Sequence, residues 1–168
     1  MEIVVDTNVF IDAFFHEDEY AQEVLRLEHK GYFGLLFTIP TLDELTYVFW
    51  LHALKGVDIS NLDVSNAETE LKKFLEEFID PFLKLNRALV RARVVPSKRH
   101  KEVCIDPEDD KFINCAIEGC ARYIITSDNH LIQIKEPIYD LNKKQIFIKR
   151  PYEFVTELMA QTINSRRL

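Results

Sequence analysis

This sequence predicts a three-layer α/β/α sandwich around a central parallel sheet of about four to five strands. Two observations carry that prediction. Short apolar runs alternate with longer helical segments: EIVV (2–5), LLFTI (35–39), RVVPS (93–97), RYIIT (122–126) and QIFIK (145–149). No tight hairpin signal joins one run to the next, and strands separated by helices pair in parallel.

The elements are justified in chain order. After the first run, residues 8–29 read as one or two helices, broken near His16–Asp18. Pro40 opens an amphipathic segment that ends near Leu54. KGVDISNLDVSNAE (55–68) is a polar loop with a helix start led by Ser65. A long helical stretch comes next, interrupted at Pro81, because the residue before a proline is pushed out of helical geometry. DPEDDKFINCAIEGCA (106–121) is a helix and SDNHLIQI (127–134) a short helical turn. The last helix opens at Pro151.

With 168 residues, 47% hydrophobic and 29% charged, the chain is expected to form one domain, 1–168, of ordinary globular composition. It has no apolar run of transmembrane length, and MEIVVDTNVF lacks the basic start of a signal peptide, so no membrane association is expected. Three cysteines without a CxxC pair argue for reduced thiols and a cytoplasmic setting. Zinc is disfavoured, since no Cys or His pair has finger spacing. The net charge of −7 is uneven: residues 84–101 hold seven Lys/Arg and no acid, leaving −14 for the rest. Such a stripe is either a solvated face or a phosphate-binding one.

Four carboxylates fall within positions 106–110. Asp106 suits an N-cap, Pro107 the first helical position, and Asp109 the capping-box acid three residues on. Glu108 sits in the first turn, where the helix dipole favours it. Asp110 is left over. It shares a face with Ile113 and Ile117, so it ends the buried stripe and needs a partner. Glu44 borders the stripe of Leu45, Val48 and Leu51, although Thr41-x-x-Glu44 also fits a capping box. In parallel α/β folds, ligands bind at the carboxyl ends of the strands. Asp6 comes directly after EIVV and Asp128 after YIITS, so Asp6, Glu44, Asp110 and Asp128 can converge on one edge. An oxygen-only cluster suits Mg²⁺ or Mn²⁺, which fits phosphodiester hydrolysis.

VVDTNVFI, TIPTLDEL, DPEDDKFINCAIEG and YIITSDNHL, in this order and spacing, resemble the PIN domain, in particular the VapC-like branch of toxins from bacterial and archaeal toxin–antitoxin pairs. The likeness extends from Glu2 to about Phe154. It implies an α/β/α fold and an endoribonuclease using Mg²⁺ or Mn²⁺, with Asp6, Glu44, Asp110 and Asp128 as metal-binding and catalytic acids. It also implies single-stranded RNA as substrate, an antitoxin as partner, and homodimerisation. Thr7, Asn8, Thr126 and Ser127 fall at supporting positions, with Asp109 as an additional acid. Two features depart from the branch. His130 stands where a second Asp is common, either as a ligand or phosphate contact or as a surface substitution. The chain also carries extra material around residues 55–100. Arg87, Arg91, Arg93, Lys98, Arg99 and Lys101 are expected to steer RNA, with Phe15, Tyr47 and Trp50 as candidate stacking rings.

The competing readings are a receiver-like module and a haloacid-dehalogenase-like phosphatase. The first lacks an acidic pair after the first strand and a matching lysine, and the second lacks Asp-x-Asp, because Asn8 fills its second place. A PIN-like RNA- or protein-binding module without catalysis is the nearer alternative.

Overall fold

The computed structural model describes residues 1–55, 69, 72, 73 and 75–165. The loop and helix start expected over 55–68 therefore lie, apart from Lys55, outside the described residues. In chain order the elements are β1 (Glu2–Val5), α1 (Thr7–Phe15), α2 (Glu19–His29), β2 (Gly34–Phe37) and α3 (Ile39–Lys55). A π-turn (Leu75–Ile79) leads into α4 (Asp80–Val90), which carries Pro81, and then into β3 (Arg93–Val94). A 3₁₀ turn (Pro107–Asp109) opens α5 (Asp110–Gly119), and β4 (Tyr123–Ile125) and α6 (Asn129–Ile132) come after it. The chain continues through β5 (Ile138–Tyr139) and β6 (Gln145–Lys149) to α7 (Pro151–Ser165).

The sheet order is β3-β2-β1-β4-β6-β5. The five expected strands all pair in parallel, and β5 adds an antiparallel edge on β6. That edge was not anticipated. Its turn contains no glycine, and Lys143 takes the left-handed conformation at φ 60. Asp140 holds the turn by accepting from the backbone N–H of Asn142 and Lys144, both at 2.8 Å.

Alternation along the strands makes two cores. Ile3, Val5, Leu35, Phe37, Tyr123 and Ile125 face one core with residues of α1, α2, α3 and α7. Val4, Leu36 and Ile124 point the other way, into a core with Phe112, Ile113, Ala116 and Ile117 of α5. A sheet buried on both faces must be covered on both, which yields the three layers. The end of α5 lies very close to β2: a Cβ at Gly119 would come 2.3 Å from Leu36 Cδ1. Cys104, Cys115 and Cys120 are free thiols, and Cys115 is buried. No helix among the described residues is long and apolar enough to cross a membrane.

Candidate active site

The ladder itself positions the first acid. Asp6 N–H donates to Ile125 O at 2.9 Å and Thr126 N–H to Lys149 O at 3.0 Å, so the pairing runs one residue past the strands and sets Asp6 beside Thr126. Thr126 is fully buried, and its hydroxyl donates to Asp6 Oδ2 at 2.5 Å. The same hydroxyl oxygen accepts the Asp128 N–H at 2.8 Å. One hydroxyl thus ties the end of β1 to the loop carrying the fourth acid. Asp128 caps α6, its Oδ1 accepting the His130 N–H at 2.6 Å.

Around the helix starts, the structure assigns the hydrogen bonds differently from the expectation. Asp106 does cap, accepting the Glu108 N–H at 3.0 Å. Asp109, expected as the capping-box acid, makes no side-chain cap bond. Asp110, expected to be left over, is buried, and its Oδ1 accepts the N–H groups of Val103 and Cys104 at 2.9 and 3.0 Å. Its partner is backbone from the incoming loop, which no local pattern signals. Glu44 is not a cap either. Thr41 Oγ1, at the third position of α3, accepts the Thr38 N–H at 2.9 Å and fills that role. Glu44 instead pairs with Lys111 Nζ at 2.5 Å.

Burial, more than any other cause, pushes the Asp6 carboxyl up to about 7, despite the bonds from Thr126 and Asn8; the charges of Glu44 and Asp109 push the same way. Burial also raises Asp109 to about 6, reinforced by the charges of Asp128 and Asp106, with Lys111 and His130 opposing. These mutual effects identify Glu44, Asp6, Asp109 and Asp128 as one electrostatic neighbourhood. Among the described residues no Lys or Arg forms an ion pair with Asp6, Asp109 or Asp128.

Of the supporting residues, Asn8 donates its N–H to Asp6 Oδ1 at 3.3 Å. Thr7 is buried, and its Oγ1 has no hydrogen-bond partner among the described residues. Ser127 Oγ donates to Asp12 Oδ2 at 3.0 Å, while Asp12 Oδ1 meets His16 Nδ1 at 2.9 Å. A groove of about 470 Å³ is lined by Asn8, Asp12, His16, His52, Asp128 and His130. A divalent cation fits this edge on chemistry: the donors are carboxylates with one imidazole beside them, the acids raise one another, and an orphaned hydroxyl adjoins Asp6.

The basic run does not form one stripe. Arg87 and Arg91 precede β3, and Arg91 Nη1 donates to His29 O at 2.9 Å, just before β2. Arg93 donates to Gly119 O at 3.0 Å, capping the end of α5. Past β3, Lys98 pairs with Glu118 at 2.8 Å and Arg99 with Glu102. The backbone N–H of Lys101 donates to Asn114 Oδ1 at 2.8 Å. Lys98 and Arg99 nevertheless share a cavity of about 240 Å³ with Asp110 and Lys111, at the same edge as the acids. Phe15 is packed on Phe49, ring centroids 5.3 Å apart, and Trp50 on Phe82 at 6.0 Å, while Tyr47 is exposed.

Three residues at this edge were not anticipated. Lys111 neutralises Glu44. Asp12 receives Ser127. Arg150 donates to Ser127 O at 3.3 Å and to Asn129 Oδ1 at 2.5 Å, bracing the loop around Asp128. Arg150 comes directly after β6, so asking which polar residue succeeds each strand would have found it.

An α/β/α sandwich that gathers carboxylates at the carboxyl edge of its parallel strands defines a fold with an acidic site. Residues 2–130 match the family model described as PIN domain, and the chain belongs to the PIN domain family. It is 29% identical over 160 residues to uncharacterized protein MJ1680 of Methanocaldococcus jannaschii, covering 94% of this chain and 91% of the relative. Among solved structures it aligns with VapBC2 from Rickettsia felis bound to a DNA fragment from their promoter. That match has a TM-score of 0.49 and 15% identity, and covers 89% of this chain and 98% of that one.

Proposed function

We propose that this protein is a metal-dependent endoribonuclease, in which Asp6, Asp109 and Asp128 hold Mg²⁺ or Mn²⁺ and Glu44 stands beside them. The observation that carries this reading is the division of the acids. Asp110 is buried under two backbone donors and Glu44 has Lys111, whereas Asp6, Asp109 and Asp128 raise or crowd one another with no Lys or Arg paired to them among the described residues, although Asp6 and Asp128 each accept one backbone N–H. When bound, the cation offsets that repulsion, lowers the pKa of a water and stabilises charge on a phosphoryl oxygen. Thr126 keeps Asp6 and Asp128 in register, and Lys111 holds Glu44 at the rim. The groove along Asn8 and Asp12 opens beside Asp128, and Lys98 and Arg99 add positive charge at the same edge.

This choice moves the third acid from Asp110 to its neighbour Asp109 and gives Asp110 a structural task. The toxin role, an antitoxin partner and a cytoplasmic setting with reduced thiols belong to the same proposal. The first two rest on the resemblance of the four motifs. The test is cleavage of a labelled single-stranded RNA with and without Mn²⁺ by the wild type, Asp109→Asn and Asp110→Asn. Metal-dependent cutting lost in Asp109→Asn and kept in Asp110→Asn is the expected result. Loss in Asp110→Asn alone returns the assignment to Asp110. RNA binding with no cutting under any metal supports a binding module instead.

A further inference from the structure

His130 brings a nitrogen donor to the acids, and its backbone is held in place by one of them. Its N–H is bound by Asp128 Oδ1 at 2.6 Å, which fixes the first residues of α6. The ring nitrogen Nδ1 lies 3.9 Å from Asp109 Oδ2 and 3.8 Å from Asp128 Oδ1. These separations are too long for hydrogen bonds. They lie close to the spacing of donors sharing an ion, since two ligands about 2.1 Å from one cation sit roughly 3.0–3.4 Å apart at right-angled to tetrahedral geometry. The ring is half exposed, so solvent and ions reach it. Asp106 completes the set: one ligand atom each from Asp106, Asp109 and His130 lie within 4.8 Å of one another.

We infer that Asp106, Asp109 and His130 form a mixed nitrogen–oxygen cation site on the outer side of the acid cluster, sharing Asp109 with the Asp6 side and selecting a first-row transition ion over Mg²⁺. The inference rests on the metal-dependent reading above and deepens it. The chemistry comes from the donors. Mg²⁺ is hard and takes oxygen, usually keeping several waters, whereas imidazole nitrogen favours transition ions increasingly along the series from Mn²⁺. Exchanging the imidazole for a carboxylate therefore changes which ion is preferred and leaves a cation site in place. Asp106 keeps one oxygen free for this role, because its cap bond to Glu108 uses only Oδ1.

The experiment measures ions directly and needs no RNA. Mn²⁺ and Mg²⁺ binding to the full chain are compared by titration calorimetry for the wild type, His130→Asp and Asp106→Asn, and bound Mn²⁺ is examined by pulsed electron paramagnetic resonance. The wild type is expected to show ¹⁴N modulation from a coordinated imidazole and to prefer Mn²⁺. In His130→Asp the modulation disappears, and the Mn²⁺-to-Mg²⁺ affinity ratio falls about tenfold or more. Asp106→Asn weakens Mn²⁺ binding while keeping the ¹⁴N signal. Mn²⁺ bound without ¹⁴N modulation, or an unchanged ratio in His130→Asp, overturns the mixed site while leaving the acid cluster's cation intact. Absence of any Mn²⁺ binding overturns the mixed site and the metal-dependent reading together.

Discussion

Asp6 and Asp128 sit just past strands, whereas Asp109 and Asp110 start a helix, and the two pairs are held by different means. The strand-end pair shares one buried hydroxyl, Thr126, with ladder bonds continuing on both sides. The helix-start pair is split by a 3₁₀ turn, which sends two adjacent carboxylates to different surroundings: Asp110 under the Val103–Cys104 backbone and Asp109 toward Asp6 and Asp128. Strand ends deliver a side chain by register alone. A helix start delivers it according to how the turn before it is wound and what loop returns over it.

The largest effect should separate the adjacent pair. Asp109→Asn is expected to lower cleavage by about 10³-fold or more with its thermal midpoint unchanged or raised, because a repelled charge has been removed. Asp110→Ala should do the converse, leaving the Val103 and Cys104 N–H groups without an acceptor. Its cost is roughly 1–3 kcal/mol, or some 2–12 °C in Tm for a chain of this size. Equal activity losses and equal melting shifts in the two variants would abolish the contrast.

Next comes the strand-end half. Thr126→Val removes the hydroxyl that links Asp6 with Asp128 and leaves the ladder untouched. A roughly 10- to 100-fold drop in kcat is expected from misplacement of the acids, with little change in circular dichroism. Activity at the wild-type level would mean that the backbone alone keeps register.

The pH dependence sharpens the comparison further. Asp6 and Asp109 hold their protons more tightly in the folded state, at about 7 and about 6, than the ordinary carboxylate value of 3.8. A raised carboxyl contributes stability that is full below the unfolded value and is lost as pH rises through the folded one. In metal-free buffer, Tm should therefore fall by several degrees between about pH 4.5 and about pH 7.5. Adding Mn²⁺ should restore more at the higher pH than at about pH 5, since the ion competes with protons. The decline should be smaller in Asp109→Asn and unchanged in Asp110→Ala.

The same contrast explains how much the residues alone disclosed. Asp6, Thr126 and Asp128 were legible because apolar runs end visibly, and the polar residue after each run must reach the carboxyl edge. All five parallel strands were legible for the same reason. The hydrogen bonding of Asp109 and Asp110 was not foreseen because a helical wheel started at Asp106 ignores the extra rotation of a 3₁₀ turn, and the loop at 103–104 is distant in pattern though close in space. Glu44 resembled a cap because Thr41 precedes it by three, but the helix starts two residues before Thr41. Lys111 was overlooked as a compensating cation, since an (i, i+1) neighbour of Asp110 gives no hint that it reaches across to α3.

The basic segment offers the smallest test, and it divides along the same geometry. Arg87 and Arg91 lie before β3 and Lys98 and Arg99 after it, so β3 puts them at opposite ends of the sheet. Only the second pair shares the edge with the acids. Lys98 is already engaged by Glu118, so on the proposed function its contribution to RNA affinity should be modest. Lys98→Ala should weaken binding a few-fold and reduce the slope of log affinity against log salt by about 0.7 to 1. Arg87→Ala, beside Lys84 and Phe14 in a cavity that holds none of the acids, should leave both unchanged. Filter binding across a salt series decides between the two ends. If Arg87→Ala alters the slope as much as Lys98→Ala does, the RNA crosses the helical face of α4 and the carboxyl edge is only where it is cut.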